Sequence, residues 1–168
     1  LSGQRAFEGL VLDNLVKEIC RLKTAYPMNV LLVSSGAIGC GMNTLKLKTR
    51  PVALPMKQAV ASVGQAMLMH YYETLFKTYS DGLCTAQVLL TLADLDNRHT
   101  YLNVRNTLNA LFDMKSVIPI LNENDTTAVD ELRFSDNDTL AARIAAKLNA
   151  ELMIILSDVD GLHDGNPA

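Results

Sequence analysis

Cysteine is scarce in this 168-residue chain: Cys20, Cys40 and Cys84 lie scattered among apolar or small residues. An odd, dispersed set forms neither a disulfide framework nor a metal cluster, and it fits a reducing, cytosolic setting. Basic residues are also few, with 15 Lys and Arg against 18 Asp and Glu and a formal charge of −3. Nucleic acid and anionic membranes select clustered cations, so a small molecule or another protein is the expected partner. No apolar run approaches the ~18 residues that cross a bilayer. The opening LSGQRAFEGL lacks the basic-then-apolar order of a signal peptide, and a soluble protein is expected. Internal repeats, low-complexity tracts and Pro/Gly/Ser-rich linkers are missing. So are a Walker A loop, a G-x-G-x-x-G turn, paired histidine ligands and a Ser-His-Asp or Cys-His arrangement. His70, His99 and His163 read as structural or surface residues.

What is plentiful is apolar side chain, 49% of the total, enough for the core of one domain spanning residues 1–168. Phe7, Leu10, Val11, Leu15, Ile19 and Leu22 recur at three- and four-residue steps, which predicts an amphipathic helix over 7–22. Tyr26-Pro27 breaks it, and the short apolar run 29–33 reads as a buried parallel strand. The alternation continues with a helix over 55–78, whose stripe is Val60, Val63, Met67, Tyr71 and Leu75, and a strand over 83–90. A helix over 100–113, a strand over 117–121, a helix over 139–149 and a strand over 152–156 follow. Strands alternating with helices demand right-handed crossovers. The fold class is therefore α/β, a three-layer αβα sandwich with a mostly parallel central sheet.

The segments after the four strands read SSGAIGCG, TLADLDNRH, NENDTTAVDELRFSDND and SDVDGLHDG. Polar residues thus gather at the carboxyl ends of strands, where open α/β sheets bind ligands. The turn Ser34-Ser35-Gly36-Ala37-Ile38-Gly39-Cys40-Gly41 can take positive φ and bring N–H groups to a carboxylate or phosphate; an ordinary strand-to-helix turn is the plainer reading. In Leu121-Asn122-Glu123-Asn124-Asp125-Thr126, unpaired burial would cost about 1–3 kcal/mol per group, so water or a ligand should meet them. Asp125 suits an ammonium and Asn122 a carboxylate, whereas turn and cap chemistry would use one or two of the four. In Ser135-Asp136-Asn137-Asp138, one aspartate is a natural helix cap, and the others would face the cleft to orient a lysine, a metal or a substrate. Ser157-Asp158-Val159-Asp160-Gly161 places two carboxylates where Mg²⁺ could sit. Haloacid-dehalogenase phosphatases carry a similar D-x-D-G, but after their first strand.

In this order, VSSGAIGCG, KQAVASVGQAML, YLNVRNTLNAL, VIPILNENDTT, SDNDTLAARIAA and LSDVDGLHD resemble the amino acid kinase family, and NEND with DND resembles its glutamate-phosphorylating branch. The resemblance runs from about residue 29 onward. It implies ATP-dependent phosphorylation of the glutamate γ-carboxylate to glutamyl 5-phosphate, the first step of proline synthesis, with Mg²⁺ accompanying the ATP. By matching position, Ser35 and the Gly36 backbone would bind glutamate, Asn122 and Asp125 would fix its α-amino and α-carboxylate end, and Asn137 would complete the pocket. Asp138 would organise catalytic lysines, and Ser157 and Asp158 would meet the nucleotide. Proline feedback, a homo-oligomer and a cytoplasmic location are further implications. The family's first strand, its lysine-bearing glycine loop and its nucleotide half would fall outside residues 1–168, so little turnover is expected of this stretch alone. Two other classes stay in play: a non-catalytic module that binds glutamate or proline, and a Mg²⁺-dependent phosphatase using Asp158.

Overall fold

The computed structural model describes residues 2–128 and 137–156, with the backbone alone for residues 2–10. Their elements are α1 (Ser2–Ala25), β1 (Leu32–Val33), α2 (Ala37–Thr44), α3 (Leu54–Tyr79), β2 (Cys84–Leu90), α4 (Leu92–Asp96), α5 (Arg98–Asp113), β3 (Val117–Glu123) and α6 (Asn137–Leu148). The strands are parallel, in the order β1-β3-β2, with Leu32 opposite Ile120 and Cys84 opposite Val117. Parallel neighbours require a crossover, and α2 with α3, then α4 with α5, supply the two between these strands.

Side chains of the central strand β3 alternate between two helical layers. Ile118 and Ile120 pack with Val16, Ile19 and Cys20 of α1 and with Leu68, Tyr72, Leu75 and Phe76 of α3. Leu121 turns the other way, toward Leu95 of α4, Leu108 of α5, and Leu140 and Ile144 of α6. Helix, sheet and helix thus form the α/β sandwich that the sequence predicts. Asn122, next in the alternation, falls on the α3 face, where its side chain meets Gln65.

Four details differ from the sequence reading. The strand predicted over 29–33 shrinks to Leu32–Val33. Pro119 accounts for this: Ser34 N donates to Leu121 O at 2.8 Å, so odd-numbered residues of β3 turn their amide groups toward β1. Proline has no N–H to offer there, and pairing starts one residue later, at Ile120. On α3, Val60 and Leu75 are buried, but Val63, Met67 and Tyr71 are 37%, 44% and 42% exposed. The buried face instead runs through Val60, Ala61, Gly64, Leu68 and Tyr72, because α2 lies close against it. A Cβ on Gly64 would strike the Ala37 carbonyl, and one on Gly41 the Val60 carbonyl, so these two helices approach backbone to backbone. The strand predicted over 152–156 is also a correction. These residues have no ladder partner among the described residues, and Leu152 and Ile154 stay largely exposed. Apolar composition alone does not make a strand; a hydrogen-bonded neighbour does. Finally, α2 and α4 occupy segments that read as loops, the second fastened by Thr91 and Asp94 in a reciprocal cap.

Candidate functional site

Because the strands are parallel, their carboxyl ends share one rim, and three backbone devices build the candidate site there. After β1, the Ser34 amide extends the ladder, and Gly36 then takes φ 106° to start α2 without a side-chain cap. This φ lies where glycine is favoured, and it leaves Ser35 and Gly36 exposed on the rim. After β3, Asn124 N donates to Leu90 O at 2.8 Å, and Thr127 N and Ala128 N both donate to Asn124 O at 3.0 Å, closing a tight turn that carries Asp125. Gln58 Nε2 reaches the end of that turn, 3.3 Å from Ala128 O. The third device is the start of α6, where Asn137 leans back onto the other two.

The side chains behind the rim form a hydrogen-bonded relay whose direction two backbone groups determine. The Glu123 N–H can only donate, so Asn122 turns Oδ1 toward it at 2.8 Å. The Asn122 Nδ2 therefore faces α3, where Gln65 must present its carbonyl; the Asn122 Nδ2 to Gln65 Oε1 distance is 2.9 Å. The Ser34 carbonyl can only accept, so Asn137 turns Nδ2 toward it at 3.0 Å, and the same nitrogen lies 3.2 Å from Asn122 Oδ1. Asn137 Oδ1 is consequently directed away, buried and without a hydrogen-bond partner among the described residues. Such an oxygen normally finds a donor in a ligand or a water. Beside it lies a small crevice lined by Leu90, Leu92, Glu123 and Leu140. Ser34 is fixed a second time by the Tyr72 hydroxyl, 2.8 Å from its Oγ. Burial pushes the Tyr72 phenol above its ordinary pKa, the Ser34 hydrogen bond only partly opposing it, so this anchor stays protonated at neutral pH.

Of the residues singled out in the sequence, Asn122 and Asn137 are joined directly, and both adjoin the Ser34–Gly36 turn. Asn122 is only 3% exposed, and three of its four hydrogen-bonding positions are filled from within the protein. Asp125 is half-buried in its turn, and Asp138 is exposed in the first turn of α6, where negative charge is favourable. Ser157 and Asp158, like Ser135 and Asp136, lie outside the described residues. Ser34 opened the predicted turn without a role of its own, and Gln58, Gln65 and Tyr72 were not among the predicted site residues. Their signal was present all the same: Gln58, Gln65 and Tyr72 recur every seven residues along one helix, a polar line on a face that packing would otherwise make apolar.

The rim offers both signs of recognition. The uncapped start of α2 and Ser35 can donate to a carboxylate and Asp125 can accept from an ammonium, while Asn137 Oδ1 is a further acceptor buried just behind the rim. Among the described residues, no three His, Cys, Asp or Glu side chains gather to hold a metal.

Residues 2–168 match the amino acid kinase family. Over 157 residues the chain is 50% identical to glutamate 5-kinase of Clostridium acetobutylicum, covering 94% of this chain and 57% of that one. It is 48% identical over 156 residues to glutamate 5-kinase 2 of Bacillus subtilis, covering 93% and 41%. With glutamate 5-kinase of Thermus thermophilus it shares 45% over 167 residues, covering 99% and 44%. The chain thus spans between about two-fifths and three-fifths of the length of these relatives.

Proposed function

The chain belongs to the amino acid kinase family, and we propose that the whole protein transfers the γ-phosphoryl group of ATP to the side-chain carboxylate of glutamate. One observation supports this above the others: donors for a carboxylate and acceptors for an ammonium share one rim, held together by Asn137 between Ser34 and Asn122. That pattern suits the zwitterionic end of an amino acid, and relatives named glutamate 5-kinase supply the identity of the amino acid.

In this reading a γ-carboxylate oxygen attacks the γ-phosphorus, the new O–P bond forms as the bond to the ADP oxygen breaks, and glutamyl 5-phosphate and ADP result. Residues of this chain contribute by positioning. Ser35 and the Gly36 backbone hold the substrate, Asn122, Asp125 and Asn137 fix its α-amino and α-carboxylate end, and Asp138 orients cationic groups around the phosphoryl. Holding both reactants in place converts an encounter into an effectively unimolecular step. Ser157 and Asp158 are assigned to the nucleotide. Mg²⁺ would enter with the ATP phosphates; the described residues do not form a cage for it, and no step is routed through it. Proline carries the same α-amino-acid end as glutamate, and we assign its feedback inhibition to the same pocket. A cytoplasmic homo-oligomer completes the proposal, supported by the exposed Val63, Met67 and Tyr71 on α3.

The test is hydroxylamine trapping of the acyl phosphate made by the full-length protein from glutamate and ATP. Asp125→Asn removes one charge-assisted contact worth about 1.5–3 kcal/mol, so the glutamate KM should rise roughly 10- to 100-fold. Glutamate binding without ATP-dependent hydroxamate would replace the kinase with a sensor. Phosphate release that is abolished by Asp158→Asn and indifferent to Asp125→Asn would favour a phosphatase.

A further inference from the structure

A buried glutamine in the middle of a helix needs a reason, because leucine would fill the same space without the cost of burying an amide. Gln65 is 9% exposed, on the face of α3 that otherwise presents Val60, Ala61, Leu68 and Tyr72 to the core. Its neighbours at seven-residue spacing act alike: Gln58 holds the Ala128 carbonyl at the end of the Asp125 turn, and Tyr72 holds Ser34. Between them, Gln65 grips Asn122.

We propose that Gln65 is a positioning residue for amino-group recognition: by accepting from Asn122 Nδ2 it holds the Asn122 amide, and through it Asn137, in place, so that Asn137 Oδ1 stays turned to the crevice beside it as an acceptor for the substrate ammonium. The inference rests on glutamate as the substrate of this rim. An asparagine amide is nearly symmetric in shape, and only its hydrogen bonds decide which end points where. Glu123 N–H and the Ser34 carbonyl orient the two asparagines, but among the described residues the Asn122 N–H₂ end meets one side-chain acceptor, Gln65 Oε1. Without that acceptor, Asn122 keeps a buried N–H with no partner on α3. The side chain is then held through Oδ1 alone and can swing about its bond to the Glu123 N–H, which draws Oδ1 away from Asn137 Nδ2. Asn137 in turn loses one of the two bonds that keep its nitrogen inward, and its orphan oxygen is no longer committed to the pocket.

The experiment compares glutamate with glutarate, which has both carboxylates and no amino group, as acceptors for the full-length enzyme and its Gln65→Met and Gln65→Glu variants. Methionine keeps the volume and deletes the acceptor; glutamate at this position keeps an acceptor oxygen. Gln65→Met should raise the glutamate KM roughly tenfold, with a much smaller change in kcat and none in the ATP KM. It should also shrink the preference for glutamate over glutarate by the same factor, and Gln65→Glu should restore most of both. Asn137→Ala should cost the same preference, and this arm stands even if Gln65→Met folds poorly. Equal losses on glutamate and glutarate, equal effects of Met and Glu, or an unchanged preference in Asn137→Ala would each overturn the inference while leaving the kinase intact. A wild-type protein that forms no hydroxamate from glutamate would instead remove the reading beneath it.

Discussion

At the scale of single residues, Tyr72 is where burial and titration meet. Its hydroxyl anchors Ser34, and burial raises its pKa above the ordinary value near 10 found in an unfolded chain. The unfolded state therefore releases this proton first as pH rises, and the stability that the neutral phenol contributes is whole below about pH 10 and lost above it. Tyr72→Phe should cost about 1 kcal/mol at pH 7 from the missing hydrogen bond and should lose less than wild type between pH 8 and 10.5. Urea denaturation at pH 7, 8 and 10.5 measures both; a steeper alkaline loss in Tyr72→Phe would reverse the assignment. Tyr72 also marks the boundary of what the sequence discloses about the site. Ser35 and Asp125 stand out because polar residues just after apolar strands have few structural uses, and Asn137 because it sits in a run of Asp and Asn opening a helix, more than one cap requires. Gln65 and Tyr72 do not stand out, because inside an amphipathic helix their partners lie 57 and 38 residues away and only the folded chain brings them together.

At the scale of elements, periodicity carried most of the fold, and its failures have backbone causes. The helices over 7–22, 55–78, 100–113 and 139–149 correspond to α1, α3, α5 and α6 because their apolar spacing matches a turn of 3.6 residues. The shortening of β1 comes from Pro119 on the neighbouring strand, a cause invisible to any reading of residues 29–33 alone. The misplaced stripe on α3 comes from the glycine contact with α2, which draws Gly64 and Ala61 inward and leaves Val63 and Met67 outside. That contact also serves the site, since α2 begins at the Gly36 turn. Gly64→Ala would drive a methyl into the Ala37 carbonyl with no flexible side chain to yield, so α2 itself must shift. The expected outcome is a loss of about 1–3 kcal/mol in chemical denaturation together with weaker glutamate binding. Destabilisation with unchanged glutamate affinity would mean that the Ser34–Gly36 turn is held in place without α2.

At the scale of the whole molecule, the relay crosses the sheet. Gln65 belongs to the helical layer with α1, Asn137 to the layer with α4 and α5, and Asn122 links them at the end of the strand between. The far layer is bound together by Arg143 to Asp96 at 2.7 Å and by the Tyr101 hydroxyl to Lys147 O at 2.9 Å, so α6 does not move alone. A ligand that pairs with Asn137 Oδ1 and the start of α2 therefore fastens both layers to the same rim. Binding to the native state alone at one hundred times Kd adds about 2.7 kcal/mol. At about 2–4 °C per kcal/mol for a chain of this size, glutamate should raise the Tm by roughly 5–10 °C. Proline should do the same through the shared pocket, and Asn137→Ala should abolish most of both shifts. Amide hydrogen exchange gives the sharper measurement, because glutamate should slow exchange in α3 and α6 together. Protection confined to one of these helices would mean that the two layers meet the ligand separately, and that the amides between them stabilise the fold without transmitting anything across it.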